Sequence, residues 1–396
     1  MAAHVCVITS VHNAFDGRIF HRESTALAAA GHRVTLVAPA EFERLVHDQI
    51  EILGIPRPSS RLQRPLLWLR LAQLVPRLDP DVIHFHDPEL LLLVPFFRLV
   101  LGRATKLVYD VHEYFVDDVA TKYWIPPWLQ PVAMRLATWL ERRLTAHVDG
   151  IVCAVEEQRP LYADQRAPAV VARNLPIARI FEGAEPHPEL AVDTPKLIYV
   201  GLILPERGID VLLEAVRILA RQERDIKLYL IGRETSPGYM KEIRTFVKAN
   251  ELIDKVHWLG YVPHDKIKHY LANADIGVAP GLRTRQYENP GICTKLFEYM
   301  ICSLPIVSAD HPHRKKYIDE CHCGLTVPPQ DATAWAEAIA WLLDHPEESQ
   351  TMGTRGREMV LDHYTWEEEQ SRFLAFYESL VDSEDAPGPQ KSHADR

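Results

Sequence analysis

Residues 281–310 read GLRTRQYENPGICTKLFEYMICSLPIVSAD, and this stretch sets the architecture expected of the whole chain. It follows an apolar strand, DIGVAP (275–280), passes through a polar loop, enters a helix near Cys293 and returns to an apolar strand, LPIVSA. Strand, helix and strand in succession form the unit from which parallel sheets are built. Lys295 and Glu298, three residues apart, project from one side of the helix's first turns. Helix N-termini carry unpaired N–H groups and a partial positive charge, which suits a phosphate. A lysine there adds a full charge, and a carboxylate one turn later can accept hydrogen bonds from sugar hydroxyls. The stretch predicts a site for a phosphorylated, hydroxyl-rich ligand.

The same alternation extends in both directions. In the first half HVCVITS, RVTLVAP, DVIHFH, KLVYDV, GIVCAV and AVVARN read as short strands. Helical patterns fall near Ile19–Ala30, Pro88–Leu101, Leu129–His147 and Glu156–Asp164. In the second half KLIYVG, IKLYLIG, KVHWLG, DIGVAP, LPIVSA and GLTVPP repeat the pattern, with later helices expected over Ala332–Leu343, Pro346–Leu361 and Trp366–Leu380. Short, uniformly apolar strands separated by helices imply parallel sheets covered on both faces. The fold class expected is therefore α/β, with two Rossmann-like doubly wound domains facing each other across a crevice. The break falls in LPIARIFEGAEPHPELAVD, rich in proline and acid and without a period. The boundaries expected are a first domain over 1–174, a linker over 175–193, a second domain over 194–365, a helix over 366–381 and a disordered tail over 382–396.

Composition narrows the class. A chain of 396 residues suits two domains, and 47% apolar with 25% charged residues is ordinary for a soluble protein. Net charge −10 and a pI near 6.0 speak against nucleic acid as a partner. MAAHVCVITS reads as a first strand rather than a signal peptide. Leu90–Leu101 is interrupted by Pro95 and Arg98 and is too short to span a bilayer. Six cysteines without a framework fit a reducing cytosol, and Cys321-His322-Cys323 lacks zinc-ligand spacing. A cytoplasmic location is expected, with one further option. Around Trp128–His147, Leu129, Val132, Leu136 and Trp139 mix with Arg135, Arg142 and Arg143. Such a helix either packs on a core with its basic side in water or lies peripherally on an anionic membrane.

In open α/β sheets ligands sit beyond the carboxyl ends of the strands, so the strand-to-helix loops are where a site is sought. In SVHNAFDGR, Asp16 is placed to cap a helix, Gly17 can take positive φ, and Arg18 follows. Asp87, before Pro88, has the position of a cap. The strand KLVYDV delivers His112, flanked by Asp110 and Glu113, to its carboxyl end. In the second half Gly201 ends one strand and Arg207 precedes Gly208 at the start of a long helix. Arg233 follows Ile231–Gly232, and Gly260 ends a later strand.

Together these loops resemble the nucleotide-sugar glycosyltransferases of GT-B fold, in particular glycosyltransferase family 4. The likeness is carried by VHNAFDGRIFHRESTALAAAGHRVTLV, DVIHFHDPE, LVYDVHE, IYVG, ERGIDVLLEA, KVHWLGYVP, ADIGVAP, TKLFEYMICSLPIV and GLTVPPQDATAWAEAIAWLL followed by YTW, in that order along nearly the whole chain. It implies a retaining enzyme with no metal and no cofactor, a nucleotide-diphosphate-sugar being its substrate. The acceptor would be a glycan, a lipid-linked molecule or a small molecule. Arg207 and Lys295 would hold the diphosphate together with the backbone of Ile292, Cys293 and Thr294, and Glu298 would accept from the ribose. His112, Asp16 and Arg18 would stand beside the transferred sugar or acceptor. Glu288, Gly201, Arg233, Arg283 and Arg285 would read the donor sugar or supplement the cations. The helix from Trp366 would cross back onto the first domain. In the front-side mechanism usually proposed for retaining members, the leaving phosphate itself helps deprotonate the acceptor. A nucleotide-sugar epimerase of the same fold and a non-catalytic nucleotide-sugar-binding subunit are the alternatives. The chain departs from the family pattern at Leu202, Pro290 and Ser303, where arginine, glutamate and glycine are usual.

Overall fold

The computed structural model describes residues 2–58, 60–111, 114, 119, 125–126, 128–190, 192–284 and 291–382. They divide into two compact units. One comprises Met1–Asn174 with the chain from Glu368 onward, the other Leu175–Glu367.

The first unit is built on strands β1 (His4–Ile8), β2 (Arg33–Pro39), β3 (Arg44–His47), β4 (Ile50–Ile55), β5 (Val82–Phe85), β6 (Lys106–Val111), β7 (Gly150–Cys153) and β8 (Ala169–Val171). They form one sheet in the order β3-β4-β2-β1-β5-β6-β7-β8, parallel except where β3 pairs antiparallel with β4. Every residue of β1, β5 and β7 is buried, as two-sided coverage requires of uniformly apolar strands. β3 and β4 were not expected. Their two-residue turn, Asp48-Gln49, has positive φ at both positions, 48° and 64°, a turn for which Asn-Gly or Asp-Gly is the usual signal. The helix Arg64–Leu74 was likewise not anticipated. Leu67 and Leu71 face the core while leucines also face outward, so its sequence lacks a clean amphipathic period.

Three expected helices are irregular. The span expected as Ile19–Ala30 opens with a π-type turn, Ile19–Ser24, and continues as the α-helix Thr25–Ala29. Pro88–Leu93 is a 3₁₀ turn leading into the helix Val94–Leu101, and Glu156–Tyr162, with Pro160 inside it, is 3₁₀ throughout. The helix Gln130–Thr145 precedes β7. The helix Trp366–Asp382 buries Phe373, Phe376, Tyr377 and Leu380, the face expected of it. Phe376 lies over Gly150, where a Cβ would stand 2.5 Å from the ring. The tail expected to be disordered lies, beyond Asp382, outside the described residues.

The second unit holds β9 (Lys196–Val200), β10 (Lys227–Ile231), β11 (Val256–Gly260), β12 (Ile276–Ala279), β13 (Ile306–Ala309) and β14 (Gly324–Val327). All six were expected. They form a fully parallel sheet in the order β11-β10-β9-β12-β13-β14. One core on one side of it gathers the helices Ile209–Arg221, Pro237–Ala249 and Ala332–Asp344, and a second core centres on Thr294–Ile301. Asp331 caps the helix Ala332–Asp344, accepting from the N–H groups of Thr333 and Ala334. Residues 175–193 bury Leu175, Phe181 and Leu190 in this unit's second core.

Candidate functional site

In the second unit the chain runs outward from β9 to β10 and β11, then returns to place β12 on the other side of β9. Where the strand order reverses, the loops after β9 and β12 part and leave a crevice at the carboxyl edge. The Leu282 N–H donates to the Glu206 carbonyl (2.9 Å), which joins those two loops. Gly208, at φ 66°, ends the short turn Pro205–Arg207 and starts the helix Ile209–Arg221.

The helix Thr294–Ile301 begins in this crevice, with Cys293 before it, whose side chain makes no cap hydrogen bond. Lys295 rises from the first turn so that Nζ stands 4.1 Å from the centroid of the Tyr199 ring, at the end of β9. The ammonium also lies where a side chain on Gly201 would be, 2.7 Å from an ideal Cβ. Burial pushes its pKa down to about 7; Arg207 and Arg314 push the same way, against the pull of Cys293 and Glu298. The charges of Arg207 and Arg314 thus act on Lys295 at the start of this helix, and a bound polyanion would relieve their mutual repulsion.

Glu298 is buried and accepts from His264 Nε2 at 2.8 Å, so His264 fixes the carboxylate that sequence reasoning assigned to the ribose. Arg314 was missed. It is fully buried and donates to the carbonyls of Ala279 (2.8 Å) and Pro280 (3.2 Å), while His311 Nε2 donates to Gly281 (2.9 Å). Those bonds hold the backbone of the loop after β12. Tyr299 was missed too. Its hydroxyl accepts from Val200 N–H (3.0 Å) and donates to Val278 O (3.3 Å), bracing β9 against β12. Neither residue stands in a loop, where site residues were sought.

The supplementary cations are accounted for. Arg283 pairs with Asp310 (2.9 Å), and Arg233 stacks on Tyr261, 4.3 Å from its ring centroid. Arg285, Glu288 and Pro290 lie outside the described residues, as does His112 in the first unit. Leu202 is exposed, its carbonyl accepting from the Tyr199 hydroxyl (2.7 Å). Ser303 has φ 59°, a left-handed conformation that explains why glycine suits this position.

In the first unit the reversal falls between β1 and β5. Asp16 caps as expected, Oδ1 accepting from the N–H of Arg18 (2.8 Å) and Ile19 (3.1 Å). Burial raises its pKa, but His12 and those N–H groups outweigh it and hold the carboxylate below its usual range. Gly17 does not take positive φ, so its backbone makes no demand for glycine. Asp87 does not cap the turn after it. Its Oδ2 accepts instead from Thr9 Oγ1 (2.9 Å), Ser10 N–H (2.6 Å) and Ser10 Oγ (3.1 Å), tying β5 to the loop after β1.

Arg18, expected beside a ligand, points inward. Only 2% exposed, it pairs with Asp110 (2.7 Å) and Glu23 (2.9 Å) and donates to the Ala172 carbonyl (2.5 Å). Next to it His84 and His86 stack, at 4.6 Å between centroids, and Tyr377 bonds His84 Nδ1 at 2.6 Å. Glu23, His84, His86 and Asp110 offer ligand atoms within 4.8 Å of one another, a set that could surround a cation. A proton would satisfy the same charge balance. Arg18 already neutralises one of the two carboxylates, and burial with Asp110 close by raises the Glu23 pKa well above normal against the pull of Arg18. One shared proton leaves the cluster neutral. Burial lowers the His84 pKa to about 4, which keeps that ring uncharged.

Two family models cover most of the chain: the glycosyl transferase 4-like domain over 17–177 and glycosyl transferases group 1 over 184–359. The chain belongs to the family 4-type glycosyltransferases. Among curated relatives of this glycosyltransferase, the alpha-D-kanosaminyltransferase of Streptomyces kanamyceticus is 28% identical over 44% of the chain and 42% of that protein. The glycogen synthase of Mycobacterium tuberculosis is 22% identical over 94% of this chain and 93% of its own. Hence the first-named relative is matched over less than half its length, the second over nearly all of it. Among solved structures, Anabaena HepE in complex with UDP-glucose superposes with a TM-score of 0.71 at 14% identity, covering 95% of this chain and all of that one. It shares the GT-B fold.

Proposed function

We propose that this glycosyltransferase moves a sugar from a nucleotide-diphosphate donor to a hydroxyl acceptor, with retention and without a metal. The observation that carries the reading is Lys295, buried over Tyr199 in the first turn of a helix that starts at the strand reversal of the second unit, with the charges of Arg207 and Arg314 acting on it. Departure of a nucleoside diphosphate places negative charge on its phosphates as the sugar–oxygen bond breaks. Preorganised cations and a helix terminus stabilise that charge, and removing one such donor typically costs about 10²–10³ in rate. In this reading Glu298, which His264 orients, is the carboxylate that accepts from the ribose hydroxyls. UDP is the nucleotide to try first, since HepE was solved with UDP-glucose.

The acceptor is a glycan, a lipid-linked molecule or a small molecule, and, independently of the transfer chemistry, the helix around Trp128–His147 makes peripheral contact with an anionic membrane. The test is donor hydrolysis and transfer by Lys295→Ala and Glu298→Ala, each expected to fall at least about a hundredfold. Wild-type rates in both would overturn the site. Persistence of activity in EDTA and an unchanged anomeric configuration in the product, read by NMR, are the outcomes expected for the metal-free, retaining course. An inverted product would refute retention.

A further inference from the structure

Among the described residues, just over half of the exposed large apolar side chains gather on one layer of the first unit. Arg64–Leu74, the turn and helix over 88–101, and Gln130–Thr145 pack side by side on one core, each joining consecutive parts of the sheet. Each turns a second apolar stripe outward. Leu62, 90% exposed, continues through Leu66 and Leu69, four and seven residues on. Leu92, Phe96 and Leu99 repeat that spacing, Leu99 being 84% exposed. Val132, Leu136 and Trp139 repeat it again, with Trp128, 75% exposed, just ahead of the helix.

Charge follows the same layer. Segments 61–74, 88–103 and 128–147 contain eight arginines, two glutamates and neither lysine nor aspartate, in a chain of net charge −10. Both glutamates are engaged internally. Glu89 pairs with Arg64 and accepts from Ser10 Oγ at 2.7 Å, and Glu141 is buried and accepts from the Tyr162 hydroxyl at 2.8 Å. Asp149 and Asp164, from adjoining turns, pair with Arg98 and Arg142. What faces solvent is leucine, tryptophan and Arg70, Arg103, Arg135 and Arg143. Arg135 and Arg143 stand on the stripe of Val132, Leu136 and Trp139, at helical spacings of three, four, seven and eleven. Apolar side chains ringed by arginine, with the described acids beside them engaged in pairs, complement an anionic lipid bilayer: the stripe enters the acyl boundary and the guanidinium groups meet phosphates.

We propose that this three-helix face docks the protein on anionic membrane surfaces, and that the acceptor is carried by a lipid. The second half rests on the sugar-transfer reading; the first does not. The experiment is co-sedimentation of the full chain with phosphatidylcholine vesicles, with and without phosphatidylglycerol. Binding is expected only where phosphatidylglycerol is present, and it should weaken at high salt as surface charge is screened. Arg70→Glu, Arg103→Glu, Arg135→Glu and Arg143→Glu combined should lower the bound fraction at least about tenfold. Leu136→Ser with Trp139→Ser should lower it as well, with circular dichroism and melting temperature confirming an intact fold. Absence of vesicle binding, or equal binding by both variants, overturns the proposal. So does a stable dimer, seen by light scattering without lipid, that Leu136→Ser with Trp139→Ser dissolves. If vesicles fail while UDP still raises the melting temperature, docking falls and sugar transfer stands.

Discussion

Lys295 lies over the face of Tyr199, its ammonium 4.1 Å from the ring centroid and occupying the space a side chain on Gly201 would need. Cation–π contact partly compensates the ammonium for the water it loses. Burial nevertheless pushes its pKa down to about 7.

That value makes nucleotide binding pH-dependent. A diphosphate beside Lys295 favours the charged form, so binding draws in a proton above pH 7. Calorimetry with UDP in buffers of different ionisation enthalpy should show proton uptake near pH 8, with affinity falling by up to roughly tenfold per pH unit above 7. Without ligand the sign for stability is opposite. Between pH 7 and 10.5 the unfolded chain holds a proton on this lysine that the folded one has released, so the group's penalty to stability lessens as pH rises. Lys295→Met should abolish the uptake. Uptake that survives the substitution would place the titration elsewhere.

Gly201→Ala should injure binding beyond its effect on folding. At φ 147° an alanine costs on the order of 1–3 kcal/mol, and its Cβ would displace the Lys295 ammonium. Denaturation and UDP titration on the same variant separate the two losses.

In the first unit, Glu23→Gln mimics a protonated carboxyl and should shift stability by less than about 1.5 kcal/mol. Arg18→Met, which strands Asp110 without its cation, should cost about 3–5 kcal/mol. Urea titration distinguishes these; equal losses would show that Glu23 is ionised.

Tyr377→Phe removes the partner of His84 Nδ1 from a buried site and should cost about 1–3 kcal/mol, read as a lowered melting temperature.

Much of this was legible because parallel strands covered on both faces are written as unbroken apolar runs, as KLIYV and DIGVA are. The helix start beside Lys295 was readable from loop composition and spacing. The hairpin at Asp48-Gln49 was not, since Gln49 stands where the turn's usual glycine would be. Nor was Arg18's inward course: DGR before a helix looks the same whether its arginine meets solvent or Asp110, 92 residues on. Tyr199, Tyr299 and Arg314 escaped for a related reason. Each matters through a tertiary partner, and no local pattern marks a tyrosine as a platform for lysine or an arginine as a clasp on two carbonyls.

The helix Trp366–Asp382 gives the first unit a discontinuous chain, with the whole of the second unit threaded between its two parts. Synthesis runs from the N-terminus, and domains generally fold as they emerge. Here Leu175–Glu367 can close on itself first, while His84 and Gly150 wait for Tyr377 and Phe376. His84 and its tyrosine are 293 residues apart, so nearly the full chain must leave the ribosome before that bond can form. A chain ending at Glu367 would carry the whole second unit and a first unit without Phe376 and Tyr377.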